Sequence, residues 1–280
     1  EEEKNLIITG TLGNFQNRLI AIKKIRLNAK LLIVNHIPTF GFVSYSALKY
    51  DEFYLCDYYL TPGSKKKIYN DYNYKGINNE NYKILLLENK NSKFSSNTIK
   101  KIDFNKIKTQ KILYVPNRTV NSSLNGDYLY KKDYENWQNY LFKKFGKIDA
   151  KFPYKKFNYK VNNEFNIVKT DLKLIEICKN YDLIIIDFIS SSTFGELAST
   201  NVPILYFNLG RDCLSKYAKK VVKSRVHEIK IDIFNNFKGL EQLDKLKNFQ
   251  KTKNIFKNIY IDNGKKKSFY QNLIDIDKKL

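Results

Sequence analysis

The sequence predicts an α/β protein built on parallel sheets. Short all-apolar runs such as Leu183–Ile186 have strand length and no in-out alternation, so they read as strands buried on both faces. Helical patterns of about ten residues fall between such runs, which is the rhythm of strand–helix–strand units. No stretch approaches the roughly 20 consecutive apolar residues that a membrane-spanning helix needs.

Taken in order, Leu6–Thr9 reads as a short buried strand. Asn14 caps a helix to about Ile25, with Phe15, Leu19, Ile22 and Ile25 at helical spacing. Lys30–His36 is an apolar strand leading into a polar loop, Ile37–Tyr45. A short helix is expected at Tyr50–Tyr54. The strand Asp57–Thr61 stops at the turn signal Pro62-Gly63, and Lys83–Leu87 is another strand. Asn91–Gln110 is rich in Lys and Asn and reads as a linker or irregular crossing segment.

A second series follows. It comprises strand Ile112–Val115, loop Pro116–Gly126, a helix over about Tyr128–Phe145, and strands Ile148–Phe152 and Asn166–Val168. Helix Asp171–Lys179, strand Leu183–Asp187, helix Ser192–Ser199 and strand Pro203–Phe207 come next. A helix over about Arg211–Val222 and a helical tail to Leu280 close the chain. Both series have the pattern of Rossmann-like units, the first one shorter. The expected division is 1–107 and 108–280.

Composition narrows the function classes. The chain has 280 residues, 42% hydrophobic and 15% aromatic, enough for a substantial core, so global disorder is excluded. The net charge of +22 has two readings. One is a surface for anions: nucleic acid, lipid head groups or a phosphorylated substrate. The other is the Lys/Asn/Ile/Tyr bias of an AT-rich genome, since the lysines are scattered. Nucleic acid rests on charge and tyrosines alone and has no motif behind it. Cys56, Cys178 and Cys213 are far apart, and with His36 and His227 as the only histidines neither a disulfide framework nor a zinc site is supported. A reducing compartment is the default. Glu1-Glu2-Glu3-Lys4 is no signal peptide. The absence of methionine points to a chain cut from something longer. No GxGxxG or Walker A loop is present, which removes the ordinary dinucleotide and P-loop readings.

The most informative stretch is Asn180–Ala198. An all-apolar strand ends in Asp187 and leads through Ser190, Ser191, Ser192 and Thr193 into a helix containing Gly195 and Glu196. The loop at the carboxyl end of a buried parallel strand is where open α/β sheets take ligands. The helix start adds N–H donors and a partial positive charge that attract phosphate. Glu196, one turn in, can accept from sugar hydroxyls. The plainer alternative is a serine cap on an ordinary core helix.

Asp182–Asp187, followed by Ser191–Ala198 and then Val202–Phe207, resembles a segment of GT-B enzymes. The nearest groups are the CDP-glycerol glycerophosphotransferase-like proteins and bacterial surface-carbohydrate transferases of Kdo or sialyl type. Ile112–Arg118 is similar to the strand that opens their nucleotide-binding half. Asp149–Pro153 is similar to their lysine-to-His-Pro element, with Phe152 in place of the histidine. Val34–Gly41 resembles their His-Gly loop, with Ile37 in place of the glycine. Tyr50–Glu52 and Asp57–Gly63 are similar to the element downstream of it.

The resemblance implies two Rossmann-like halves of GT-B type facing each other across a cleft, the N-terminal half truncated. It implies a metal-independent transferase with no cofactor, whose substrate is a nucleotide-activated sugar or polyol donor, CMP- or CDP-linked. The acceptor would be a bacterial surface glycan or its lipid-linked precursor. The protein would be cytoplasmic, with peripheral association to an anionic membrane, and would not bind nucleic acid. Donor binding falls to Tyr114, Pro116, Asn117, Arg118, Lys151, Pro153, Ser190, Ser191, Ser192, Thr193 and Glu196. Catalysis falls to His36, Asp51 and Glu52, because an imidazole or carboxylate there can take the proton of an acceptor hydroxyl. Arg211, after the Phe207–Gly210 loop, is placed to meet a phosphate or a surface carboxylate. The departures at Ile37 and Phe152 keep a second reading open, a non-catalytic nucleotide- or carbohydrate-binding module.

Overall fold

The protein is described by a computed structural model covering residues 5–10, 12, 15–35, 52, 54–62, 83–87, 98–116, 131–152, 166–168, 172–212, 214, 216–249 and 267–278. It is an α/β protein with parallel sheets. The chain divides into two compact units: residues 1–93, 215–218 and 257–280, and residues 94–214 and 219–256.

The first unit holds a four-stranded sheet of β1 (Leu6–Thr9), β2 (Lys30–Val34), β3 (Tyr58–Pro62) and β4 (Lys83–Leu87), in that order and all parallel. Successive side chains alternate between its faces. Leu31, Ile33 and Tyr59 pack with Leu12, Ala21 and Cys56 on one side. Leu32, Tyr58 and Leu60 pack on the other with Leu273 and Ile276 of the last helix, α6 (Phe269–Asp277). Helix α1 (Phe15–Arg26) forms as expected, but three residues of its predicted apolar stripe face outward. Phe15, Leu19 and Ile22 are 73%, 50% and 47% exposed, while Ala21 is the helix residue in the core. A small side chain lets the helix lie close to the sheet, which the periodicity of large residues could not foretell. Asp57 ties this edge together, accepting the Leu31 N–H at 2.8 Å and pairing with Lys24 at 2.5 Å.

The second unit holds six parallel strands: β6 (Ile112–Val115), β7 (Asp149–Ala150), β8 (Asn166–Ile167), β9 (Leu183–Ile186), β10 (Ile204–Asn208) and β11 (His227–Lys230). Their order across the sheet is β8-β7-β6-β9-β10-β11. The chain therefore builds outward from β6 in one direction, returns, and builds outward from β9 in the other. This is the doubly wound order, with its switch point between β6 and β9. Tyr114, Ile185, Leu205 and Phe207 pack on one face with Trp137, Leu141 and Phe142 of α2 (Lys131–Phe145). Leu113, Val115, Ile184, Ile186, Ile204 and Tyr206 alternate to the opposite face and are buried as well. Burial on both faces explains the continuous apolar run of β9.

The helix expected over about Arg211–Val222 is found at Lys216–Arg225, and three other stretches depart further from the sequence reading. The segment read as a linker carries β5 (Ile102–Asp103) and a 3-10 helix at Phe104–Thr109, because Ile102, Phe104 and Ile107 reach the main core from among the lysines. Helix Asp171–Lys179 is a single turn, α3 (Leu174–Ile177), continued by 3-10 residues Cys178–Asn180. The tail is not continuously helical. It contains β11, a 3-10 helix at Leu240–Lys245, and β12 (Asn248–Phe249), which pairs antiparallel with β5. Gly239 starts that 3-10 helix at φ +109°, where an added Cβ would lie 2.0 Å from the Lys230 carbonyl oxygen. Among the described residues, no helix is long and apolar enough to cross a membrane.

Candidate functional site

The switch point brings the carboxyl ends of β6 and β9 side by side, Val115 opposite Ile186. Asp187 follows β9 directly and is fully buried. Its carboxylate accepts from the Tyr114 hydroxyl, from Tyr134 at 3.1 Å and from Trp137 Nε1 at 3.2 Å. Burial pushes the Asp187 carboxyl above its ordinary range, against the pull of these donors and of the Arg211 charge. Tyr114 and Tyr134 are held well above the usual phenol value by burial and by the same carboxylate. Tyr114 is therefore a core residue that fastens β6 to β9 and α2. That corrects its expected place against a donor.

The next turn carries Ser190 and Ser191 into α4 (Ser192–Ser199). Its conformation is set by Asp212, from the loop after β10. Asp212 accepts the N–H groups of Ile189 and Ser190, both at 2.9 Å, and the Ser190 and Tyr206 hydroxyls, both at 2.6 Å. Two N–H groups that would face an anion thus face an internal carboxylate, and the Ser190 hydroxyl is turned inward with them. Ser190 thus holds the turn through Asp212. Ser191 is the cap: its Oγ accepts the Phe194 N–H at 3.3 Å. Ser191 and Thr193 are half-buried, and Glu196 is exposed on the second turn.

The far end of α4 is held as well. Helix α5 (Lys216–Arg225) ends in Arg225, which is fully buried. Its guanidinium donates to the carbonyls of Ala198 at 3.0 Å, Thr200 at 3.0 Å and Val202 at 2.8 Å. These include carbonyls that a helix end leaves unpaired, and the charge suits the negative end of the dipole. Burial pushes the Arg225 pKa down to about 9, which leaves it charged at neutral pH.

Arg211 precedes Asp212 in the same loop. It is 7% exposed, and its Nε and Nη1 have no hydrogen-bond partner. Its guanidinium lies over the rings of Tyr134 and Phe188, 5.2 Å from each centroid.

Of the remaining expected residues, Pro116 is buried just beyond β6, and Lys151 is half-buried beyond β7, its N–H on the Tyr114 carbonyl at 2.9 Å. Phe152 packs against the main core. Glu52 lies in the interior of the first unit, fully buried, accepting the Leu12 N–H at 2.9 Å and the Tyr59 hydroxyl at 3.0 Å. It is a buried acceptor that organises the unit, not an accessible base. His36, Asp51, Asn117, Arg118 and Pro153 lie outside the described residues, as does the side chain of Ser192. Cys56 and Cys178 are buried free thiols; burial pushes the Cys178 thiol up to about 12. No group of three or more His, Cys, Asp or Glu that could hold a metal occurs among the described residues.

Asp187, Asp212 and Arg225 are the organising residues that sequence reasoning passed over. A lone Asp or Arg in a loop or at a helix end reads as solvated. Only Asp187 had a signal, a carboxylate closing an all-apolar strand.

No protein-family model matches the chain, and no curated protein matches it. Among solved structures, it is similar to the wall teichoic acid polymerase TagF, at 17% identity over 90% of this chain and 69% of that chain, with a TM-score of 0.42. A histidine variant of the same polymerase aligns at 14% identity over 99% of this chain and 89% of that chain, with a TM-score of 0.29. Likeness at this level carries no activity across.

Proposed function

We propose that the protein is a GT-B-type transferase whose second unit binds a nucleotide-activated donor at the β6–β9 switch point. The observation that carries this reading is the turn from β9 into α4. It opens a helix start at the carboxyl edge of a doubly wound sheet, the place where such sheets take phosphorylated ligands. The donor would be CMP- or CDP-linked, its phosphates lying against Ser191, Ser192 and Thr193, its sugar or polyol toward Glu196. The helix start would stabilise the charge of the leaving nucleotide. The reaction would displace that nucleotide at the anomeric carbon, or at phosphorus for a CDP-alcohol, without a metal. The acceptor would be a bacterial surface glycan or its lipid-linked precursor, met at the cytoplasmic face of an anionic membrane. With Glu52 engaged inside its unit, the base would be His36 or Asp51.

Thermal-shift titration with CMP, CDP, UDP and GDP tests the donor site. A cytidine nucleotide should raise the Tm, and Ser191→Ala with Ser192→Ala should reduce the shift. No response to any nucleotide would remove the donor reading. Phe152 supports a second reading, a non-catalytic binding module, because an aromatic ring packed on the core stands where the resembling enzymes have histidine. Nucleotide release from activated donors separates the two: an enzyme turns over and slows in His36→Ala, whereas a module binds without release.

A further inference from the structure

We propose that Arg211 is the fixed cationic anchor of this site and that it takes a phosphate group of the bound ligand through its unpartnered N–H groups. The inference rests on the donor reading for the identity of the ligand, but not for the existence of an anion site. A guanidinium carries five N–H donors and stays charged. Exposed arginines satisfy these with water. Arg211 is 7% exposed, so water does little for it, and both Nε and Nη1 lack a partner. Leaving a buried ionic group in that state is unfavourable.

Its immediate surroundings do not repay that cost. The rings of Tyr134 and Phe188 attract the cation but give its Nε and Nη1 no hydrogen bond. Asp187 feels its charge but is already filled by Tyr114, Tyr134 and Trp137. Asp212, next in sequence, is filled by Ile189, Ser190 and Tyr206. Neither carboxylate accepts from the Nε or Nη1 of the arginine. The residue is therefore preorganised and lacks an acceptor.

Its location identifies the acceptor's chemistry. Phe188, under the guanidinium, immediately precedes the Ile189–Ser190 turn into α4. One ring under the cation therefore belongs to the segment that leads into α4, a helix start whose dipole favours the same sign of ligand. A cation and a helix N-terminus at one edge of a sheet fit a phosphate or diphosphate, from a nucleotide or free in solution.

The test is calorimetric titration of the full chain with pyrophosphate and with CDP, in wild type, Arg211→Lys and Arg211→Gln. Wild type should bind both, and Arg211→Gln should lose at least about tenfold in affinity for each, the loss expected for one charge-assisted hydrogen bond. Arg211→Lys should retain part of it. Affinity within twofold in folded Arg211→Gln overturns the anchor. Should the variants fail to fold, the wild type decides. With five arginines in the chain, the Nε–H resonances can be followed by NMR, and one must shift on adding pyrophosphate. No shift overturns the proposal. Pyrophosphate bound through Arg211 but CDP bound no more tightly would keep the anchor and sink the nucleotide donor. CDP bound equally by wild type and Arg211→Gln would do the reverse.

Discussion

The carboxylate of Asp212 receives donors from Ile189, Ser190 and Tyr206, residues that lie 6 to 23 positions away in sequence. One oxygen serves Ser190 twice, and the other serves Ile189 and Tyr206. This division makes the amide variant informative. Asparagine keeps an oxygen for Ser190 but turns an NH2 toward the Ile189 N–H, setting donor against donor. Alanine loses every partner. Asp212→Ala should therefore cost about 3 kcal/mol of stability and Asp212→Asn about 1–2 kcal/mol, read as shifts in the urea midpoint. Both should weaken nucleotide binding, since the turn that presents Ser191 and Thr193 is no longer held. Wild-type stability in Asp212→Ala would mean that the turn keeps its shape without the carboxylate.

At the scale of elements, α4 is a short helix of eight residues fixed from both ends. Isolated helices of that length do not persist in water. Ser191 and the Asp212-held turn set its start, and Arg225 collects the carbonyls at its end. Arg225→Met fills similar volume but strands those carbonyls, and Arg225→Lys cannot fork to reach all of them. Each should lose about 2–4 kcal/mol, measured by denaturant unfolding. An unchanged midpoint in Arg225→Met would show that apolar packing replaces the clamp.

The same helix marks what the sequence discloses. Its limits, Ser192–Ser199, were legible because an all-apolar strand precedes it and a serine cap begins it. The positions of β1 and β9 were legible because their patterns are local, but β1, expected to be buried, lies at the end of its sheet with Ile8 44% exposed. Asp212 and Arg225 were not legible, because their partners come from other elements, and nothing near them in sequence says that they are buried. The apolar stripe on α1 misled for the converse reason, since Ala21 carries too little hydrophobic signal to mark the face that meets the sheet. Glu52 read as chemistry because a carboxylate in an expected short helix is indistinguishable in sequence from one bonded to Leu12 and Tyr59.

At the scale of the whole molecule, the first unit is assembled from distant parts of the chain. Leu32, Tyr58 and Leu60 form one face of its sheet, and the partners of that face include Leu273 and Ile276, more than 200 positions later. Burying such side chains contributes about 1.5–3 kcal/mol each, so a chain ending before Ser268 should leave that face uncovered and the unit unstable. Residues 257–280 belong to the first unit, whereas the second contains the sole tryptophan, Trp137, buried against Phe207 and bonded to Asp187. Indole fluorescence therefore reports the second unit alone, while far-ultraviolet circular dichroism reports both. In the truncated chain the dichroism should lose amplitude or melt earlier, with the fluorescence midpoint unchanged. If the two midpoints instead fall together, the units fold as one cooperative block, and no stability change measured at the donor site could be assigned to the second unit alone.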